Sequence, residues 1–309
     1  MAITRPNLAC LVLDTVASTG VPYAVLHGED RIADGRADSD VDLVVGCPPH
    51  QVVRSLAPML AASGLILGLV WPYDVCALTS VWLAPGPNGV QLDLVCDPYG
   101  WGKYGLRTDA LLQRRIRGRC WWRLDGRAER IYLLSKRAEK QDRPALVRLL
   151  DLDTADRQAL IQLCGLLLAD WRRPRIVRLL DGGPDAAGVG PPARVRLVRA
   201  QRLADRARHG IGCWVTVAGD RSGEAMTALQ ASFSRVLPRA LVLDQAPPVV
   251  LLHAQLERRR AALAFSRPVP GVRSDLAVCA GQPGVTSRVL GCLAQRADST
   301  LRTLERAGR

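Results

Sequence analysis

Tyr23-Ala24-Val25-Leu26-His27-Gly28 is an apolar run closed by glycine, and eleven residues on comes Ser39-Asp40-Val41-Asp42-Leu43-Val44-Val45, two carboxylates leading into a second apolar run. A third acid interrupts another such run, Val90-Gln91-Leu92-Asp93-Leu94-Val95. In a strand, residues i and i+2 share a face. Asp40 and Asp42 therefore project together while Val41 and Leu43 face a core, and Asp93 shares its face with Gln91 and Val95. If the two strands are neighbours, the three carboxylates converge. Such a cluster repels itself unless a cation neutralises it. Oxygen-only ligands select a hard metal, magnesium above all. Two such ions about 4 Å apart would clamp phosphate oxygens and activate an attacking hydroxyl. Gly28 would let backbone approach a nucleoside triphosphate with no side chain in the way. Taken singly the signals are ambiguous: Asp-x-Asp also fits a solvated turn or a helix cap, and His27 fits a strand-end residue.

The chain has 309 residues, 48% hydrophobic and 23% charged. That is the composition of a soluble globular protein long enough for two domains. No apolar stretch reaches the ~18 residues of a membrane span. The N-terminus lacks the basic start and apolar block of a signal peptide, and Leu8, Leu11, Val12 and Val16 fall at helical spacing instead. Nine cysteines, an odd number with no Cys-x-x-Cys pair, read as buried thiols in a reducing cytoplasm. The charge of +13 is uneven, with residues 1–100 at net −6 and the remainder at net +19. A positive half beside an acidic half would attract a phosphorylated substrate. The basic residues are scattered rather than gathered in one block, which argues against nucleic acid as the partner. Arginine outnumbers lysine 39 to 3, which fits a GC-rich genome.

Along the chain, periodicity predicts a helix over 6–19, a strand at Tyr23–Leu26, a polar loop Glu29–Ser39, a strand at Val41–Val45 and a helix over Gln51–Ala62. Strands at Leu65–Trp71, Val75–Leu83 and around Asp93 complete five. From Arg107 to Ala207 the pattern is mainly helical, with a buried helix at Leu160–Leu168. Asp181-Gly182-Gly183-Pro184 to Gly190-Pro191-Pro192 is the best linker. The expected class is α/β with an α+β first half: a small mixed sheet over 1–140, a helical connector over 141–210 and a truncated α/β unit over 211–309. After the third acid, Tyr99, Trp101 and Tyr104 with Lys103 and Arg107 form an aromatic-basic loop, either a platform for a base or packing for the sheet. Trp121 and Trp122 are expected to anchor the next segment in the core.

At the glycine-ended strand, the Asp-x-Asp strand and the later Asp strand, residues 5–140 resemble the nucleotidyltransferase superfamily. The resemblance implies Asp40 and Asp42 as a metal-binding pair and Asp93 as the third acid, a base or second-metal ligand. It implies Gly28 as the phosphate-loop glycine and Ser39 as the small polar residue before the acids. Glu29 departs from the pattern, which usually has Gly or Ser there; an acid in that place would face incoming phosphate unless it turns away. The implied chemistry is Mg2+-dependent transfer of a nucleoside monophosphate from a triphosphate to a small-molecule or peptide acceptor, with release of pyrophosphate.

Trp214-Val215-Thr216-Val217-Ala218-Gly219-Asp220-Arg221-Ser222-Gly223-Glu224-Ala225 has the layout of strand, glycine loop, helix and looks like the phosphate loop of thymidylate-kinase-like proteins. A working loop reads Gly-x-x-x-x-Gly-Lys-Ser/Thr. Here Ala218 takes the first glycine position, Glu224 the lysine and Ala225 the magnesium-binding hydroxyl. The charge is reversed where a cation must meet phosphate, so no nucleotide is expected there. Leu241-Val242-Leu243-Asp244 with a helix through Arg258, and Ala277-Val278-Cys279-Ala280, resemble the later strands of such kinases. This P-loop-kinase-like half would serve as scaffold or as the surface of a homo-oligomer. The rival reading of the whole chain is a non-catalytic scaffold or binding protein in which both halves have lost their chemistry.

Overall fold

The structure, a computed structural model, describes residues 5–36, 40–74, 76–84, 88–183, 193, 196, 197, 200, 213–234, 237, 240–243, 263–266 and 274–306. Ser39, the expected helix through Arg258 and most of the expected linker lie outside these residues. Helix α1 (Arg5–Ser18) lays Leu8, Val12 and Val16 on one buried face. Strands β1 (Tyr23–Val25), β2 (Asp40–Val45), β3 (Ile66–Asp74), β4 (Ala77–Leu83) and β5 (Gly89–Val95) follow, with α2 (Glu29–Ala33) between β1 and β2 and α3 (Pro49–Ala62) after β2. The expected polar loop Glu29–Ser39 thus begins as a helix.

A second departure lies after α4 (Thr108–Gln113). Instead of a continuing helix, Arg115–Arg117 and Trp122–Leu124 form the hairpin β6–β7. This hairpin extends the five expected strands to a seven-stranded mixed sheet of order β3-β4-β5-β2-β1-β7-β6. Arg114-Arg115-Ile116-Arg117-Gly118-Arg119 contains one apolar residue, so neither the helical nor the strand period is set by its sequence. Trp121 is buried as expected, while Trp122 is half-buried with the Arg115 and Arg117 guanidiniums over its ring.

Strand alternation gives the sheet two working faces. Val41, Leu43, Val45, Leu92 and Leu94 join α1 and α3 in one core. The other face carries Ala24, Leu26 and Val44 under a helical layer of α4, α5 (Gly126–Lys140), α7 (Thr154–Leu167) and α8 (Arg173–Gly182), with α6 (Arg143–Leu149) between α5 and α7. The helix expected at Leu160–Leu168 is buried on one side only, since Leu166 is exposed.

The last part of the chain is again α/β. Strands β8 (Cys213–Ala218), β9 (Ala240–Leu243), β10 (Leu263–Ser266) and β11 (Leu276–Cys279) make an all-parallel sheet of order β11-β8-β10-β9. Central β10 had no counterpart in the sequence reading. Helices α9 (Ser222–Phe233) and α10 (Val285–Arg306) cover this sheet. α10 serves both halves: Val289 and Leu293 pack on the second sheet, and Ala297 and Leu301 enter the core under the first. Val81 and Leu83 of β4 also pack on the second unit. They share a face with Thr79, two residues back along the strand. The acid-bearing face is therefore flanked by the helical layer on one side and the second α/β unit on the other.

None of the nine cysteines is in a disulfide, and only Cys164 and Cys213 are fully buried, so the expectation of buried thiols holds for a minority. No helix among the described residues is long and apolar enough to cross a membrane.

Candidate metal centre

Strands β2 and β5 are parallel neighbours, and their register sets Asp42 directly across from Asp93 and Asp40 across from Gln91. The structure thus brings Asp40, Asp42 and Asp93 together, with one ligand oxygen from each within 4.8 Å of the others. Asp42 is buried, and Asp40 and Asp93 are half-buried. Asp93 is braced within the sheet: Thr79 Oγ1 donates to its Oδ1 at 2.5 Å and Gln91 Nε2 at 3.1 Å.

The two central acids titrate in opposite directions. Burial is the largest influence on Asp93 and raises it; the charge of Asp42 adds to this, and the bonds from Thr79 and Gln91 offset only part, leaving it at about 7. Burial also raises Asp42, but the bond to His27 and the charge of Lys136 outweigh it and hold Asp42 at about 2. The cause is visible at one oxygen. Lys136 Nζ lies 2.5 Å and His27 Nε2 2.8 Å from Asp42 Oδ2. Lys136 and Asp42 side chains are each 7% exposed.

Folded Asp93 keeps its proton above its ordinary 3.8, so the unfolded chain ionises first as pH rises. Stability is lost between about pH 4 and 7 through this group, by a few kcal/mol at most. Asp42 acts the other way and loses its contribution as pH falls from about 4 to 2. Asp93→Asn should therefore flatten the loss between about pH 4 and 7 in the metal-free protein, measured as urea unfolding across pH. An unchanged pH profile would mean that Asp93 does not share its site with Asp42 as described.

Gly28 adopts the left-handed conformation, φ 73° and ψ 23°, at the start of α2. A side chain is strained there, which explains the glycine. Its N–H donates to Glu129 Oε1 at 3.3 Å. Glu29 turns away from the acids. It is 2% exposed, and its carboxylate accepts from the N–H groups of Cys120 at 2.7 Å, Trp121 at 3.1 Å and Arg119 at 3.3 Å. Gly118 allows this approach, because a Cβ there would stand 2.8 Å from the Glu29 carboxylate. The departure at Glu29 is thus a structural clasp between α2 and the β6–β7 hairpin.

Several partners of the acids come from α5, none of whose residues the sequence singles out. Asp125 caps its start by accepting from the N–H groups of Arg127 and Ala128, both at 3.0 Å, and left-handed Gln141 ends it. Glu129, Tyr132, Lys136 and Lys140 fall three or four residues apart, on one stripe of that helix. That spacing was the available signal. Tyr132 stacks on His27 with ring centroids 5.7 Å apart and meets Tyr104 edge-on at 6.0 Å. Its hydroxyl is buried with no hydrogen-bond partner. Burial, with the charges of Asp93 and Asp42, pushes the Tyr73 phenol up, so it too belongs to this surrounding.

The aromatic-basic loop divides between its two readings. Asp97 fastens it by accepting from the N–H groups of Trp101 at 2.9 Å and Gly102 at 2.7 Å. Tyr104 packs inward against Tyr132, with Lys103 Nζ 5.5 Å from its ring centroid. Tyr99 is 65% exposed and stacks on Trp101 at 4.9 Å. In the second unit, Gly219 (φ 107°) turns the chain from β8 into α9, and Glu224 sits in the first turn of that helix.

Comparison with protein families, with characterised proteins and with solved structures gives no match to this chain, so the reading of the site rests on its own geometry.

Proposed function

We propose that the chain is a metal-dependent nucleotidyltransferase that moves a nucleoside monophosphate from a triphosphate to a small-molecule or peptide acceptor. One observation carries this reading: Asp42 and Asp93 lie in register on adjacent parallel strands with Asp40 beside them, at the foot of a strand that ends in a left-handed glycine. The donor set fits the metal, since three carboxylate oxygens within 4.8 Å suit a hard cation such as Mg2+. Bound by Asp40, Asp42 and Asp93, the cation would screen the triphosphate and favour attack on it. The chain's own groups supply the rest. Lys136 and Lys140 would bring ammonium groups to phosphate oxygens. The exposed Tyr99–Trp101 stack would receive the base. Asp93, ionised once the cation is bound, would be the group placed to accept the proton of the acceptor hydroxyl. The acceptor oxygen forms the new bond to the α-phosphorus. The bond from that phosphorus to the bridging oxygen breaks, and pyrophosphate leaves with the electron pair.

The rival is a non-catalytic binding protein, and a specific observation favours it. Lys136 occupies Asp42, and Glu129 takes the Gly28 N–H, so contacts needed by metal and by phosphate are filled from within. Calorimetry with each of the four common triphosphates and Mg2+ separates the two. The enzyme reading expects binding of at least one triphosphate, dependent on Mg2+ and lost in Asp93→Asn. The scaffold reading expects none by the wild-type chain.

A further inference from the structure

We infer that Lys136 is the resident cation of the metal-free acid cluster and exchanges with the divalent ion: it gives up Asp42 when metal binds and moves its ammonium onto the triphosphate. The inference rests on the metal-site reading and adds to it how the site is regulated. Metal alone must compete with a lysine already in place, whereas metal arriving with a triphosphate gives that lysine a new anionic partner. The site would thus discriminate against free metal and respond to metal and triphosphate together.

Three observations support the exchange. Lys136 and Asp42 are each 7% exposed, so solvent screens their charges poorly and a second cation beside Asp42 meets the full repulsion of the ammonium. The helix that carries Lys136 is pinned next to it. Arg172 Nε donates to Ser135 Oγ at 3.0 Å, Arg172 Nη2 to the Ser135 carbonyl at 2.7 Å and Arg172 Nη1 to Glu139 Oε2 at 3.0 Å, while Ser135 Oγ donates to the Tyr104 carbonyl at 2.6 Å. With α5 fixed, the exchange is a swing of one flexible side chain. The third observation is compositional. In a chain with 39 arginines and 3 lysines, two of the lysines are Lys136 and Lys140, one helical turn apart on the stripe that faces the acids, and the third, Lys103, lies over Tyr104. A planar guanidinium and a compact ammonium on a flexible stem are not interchangeable in a closed slot. Of the three lysines only Lys136 is buried, and a compact ammonium suits a slot from which the charge must leave and return.

Removing the lysine should move two affinities in opposite directions. Isothermal calorimetry with Mn2+ alone, and then with Mn2+ and inorganic tripolyphosphate, reads both without requiring the nucleoside. In Lys136→Met, Mn2+ alone should bind about tenfold more tightly and tripolyphosphate about tenfold more weakly than in the wild type, the size of an ordinary coupling between two ligands. Lys136→Arg should lose tripolyphosphate affinity although it keeps the charge. A second readout uses the unaltered protein, so it stands even if the variants fold poorly: acetylation at limiting acetic anhydride, followed by peptide mass spectrometry. Lys136 should be protected without metal, exposed when Mn2+ alone saturates the site, and protected again when tripolyphosphate is added. Mn2+ binding that is lost in Asp93→Asn but unchanged in Lys136→Met, with constant Lys136 labelling, would overturn the exchange and leave the metal site standing. No Mn2+ binding by any of these proteins would overturn both.

Discussion

Asp42→Asn should abolish divalent-metal binding and lower the free energy of unfolding by about 3–5 kcal/mol, the range for a buried ion pair that loses one partner. The loss arises mainly at Lys136. Its ammonium is buried 2.5 Å from Asp42 Oδ2 and would keep no anion beside it, only a neutral amide and the His27 Nε2 at 3.3 Å. His27 would lose its carboxylate partner as well. The size of the effect comes from stranding a charge, not from the intrinsic strength of the pair, so the double variant Asp42→Asn/Lys136→Met should recover most of the stability while binding no metal. Urea unfolding checks the first statement and Mn2+ calorimetry the second. A single variant as stable as the wild type would mean that Lys136 does not close on Asp42 in solution. A single variant that still binds metal would remove Asp42 from the site.

Glu29→Ala should cost about 1–3 kcal/mol, because the Trp121 N–H loses its acceptor in a buried bond, while the amides of exposed Arg119 and Cys120 can turn to water. The Cys120, Trp121 and Arg119 amides all converge on that carboxylate. Glu29→Gln keeps one acceptor oxygen and should lose less. Burial raises the Glu29 carboxyl, but these amides outweigh it and hold it below its ordinary 4.5. Its contribution is therefore present above the unfolded pKa and fades as pH falls below that value. Thermal unfolding of the two variants at neutral pH gives the ranking directly. If Glu29 faced the nucleotide instead, Glu29→Ala would raise triphosphate affinity and leave stability nearly unchanged. The acid that breaks the sequence resemblance would then matter to binding after all.

The acid cluster was legible in the sequence because strand alternation is a strict rule. Asp40, Val41, Asp42 and Leu43 can only divide into an acidic face and a core face, and Asp93 between Leu92 and Leu94 divides likewise. Adjacency of the two strands was the missing condition, and the pairing of β2 with β5 met it. The partners of the cluster were hidden for a different reason. Glu129, Lys136 and Lys140 sit among Arg127, Arg130, Arg137 and Glu139, and such a helix reads as a solvated charged surface. Only tertiary packing shows that one stripe of it is turned onto the acids. Glu29 was hidden by distance, since its amide partners lie about ninety residues away in the chain. Strand β10, Leu263-Ala264-Phe265-Ser266, is like β9 and β11 too short to set a period, and the kinase-like resemblance that marked those two did not extend to it, although the strand is central in its sheet.

The central claim is that Asp40, Asp42 and Asp93 together hold a divalent cation, and its most direct measurement is anomalous X-ray diffraction from crystals grown with Mn2+, recorded at the manganese edge. The account expects a strong anomalous peak ligated by these three carboxylates, with the Lys136 ammonium withdrawn from Asp42. A protein saturated with Mn2+ that shows no peak between β2 and β5, or shows its peak at other residues, would contradict it.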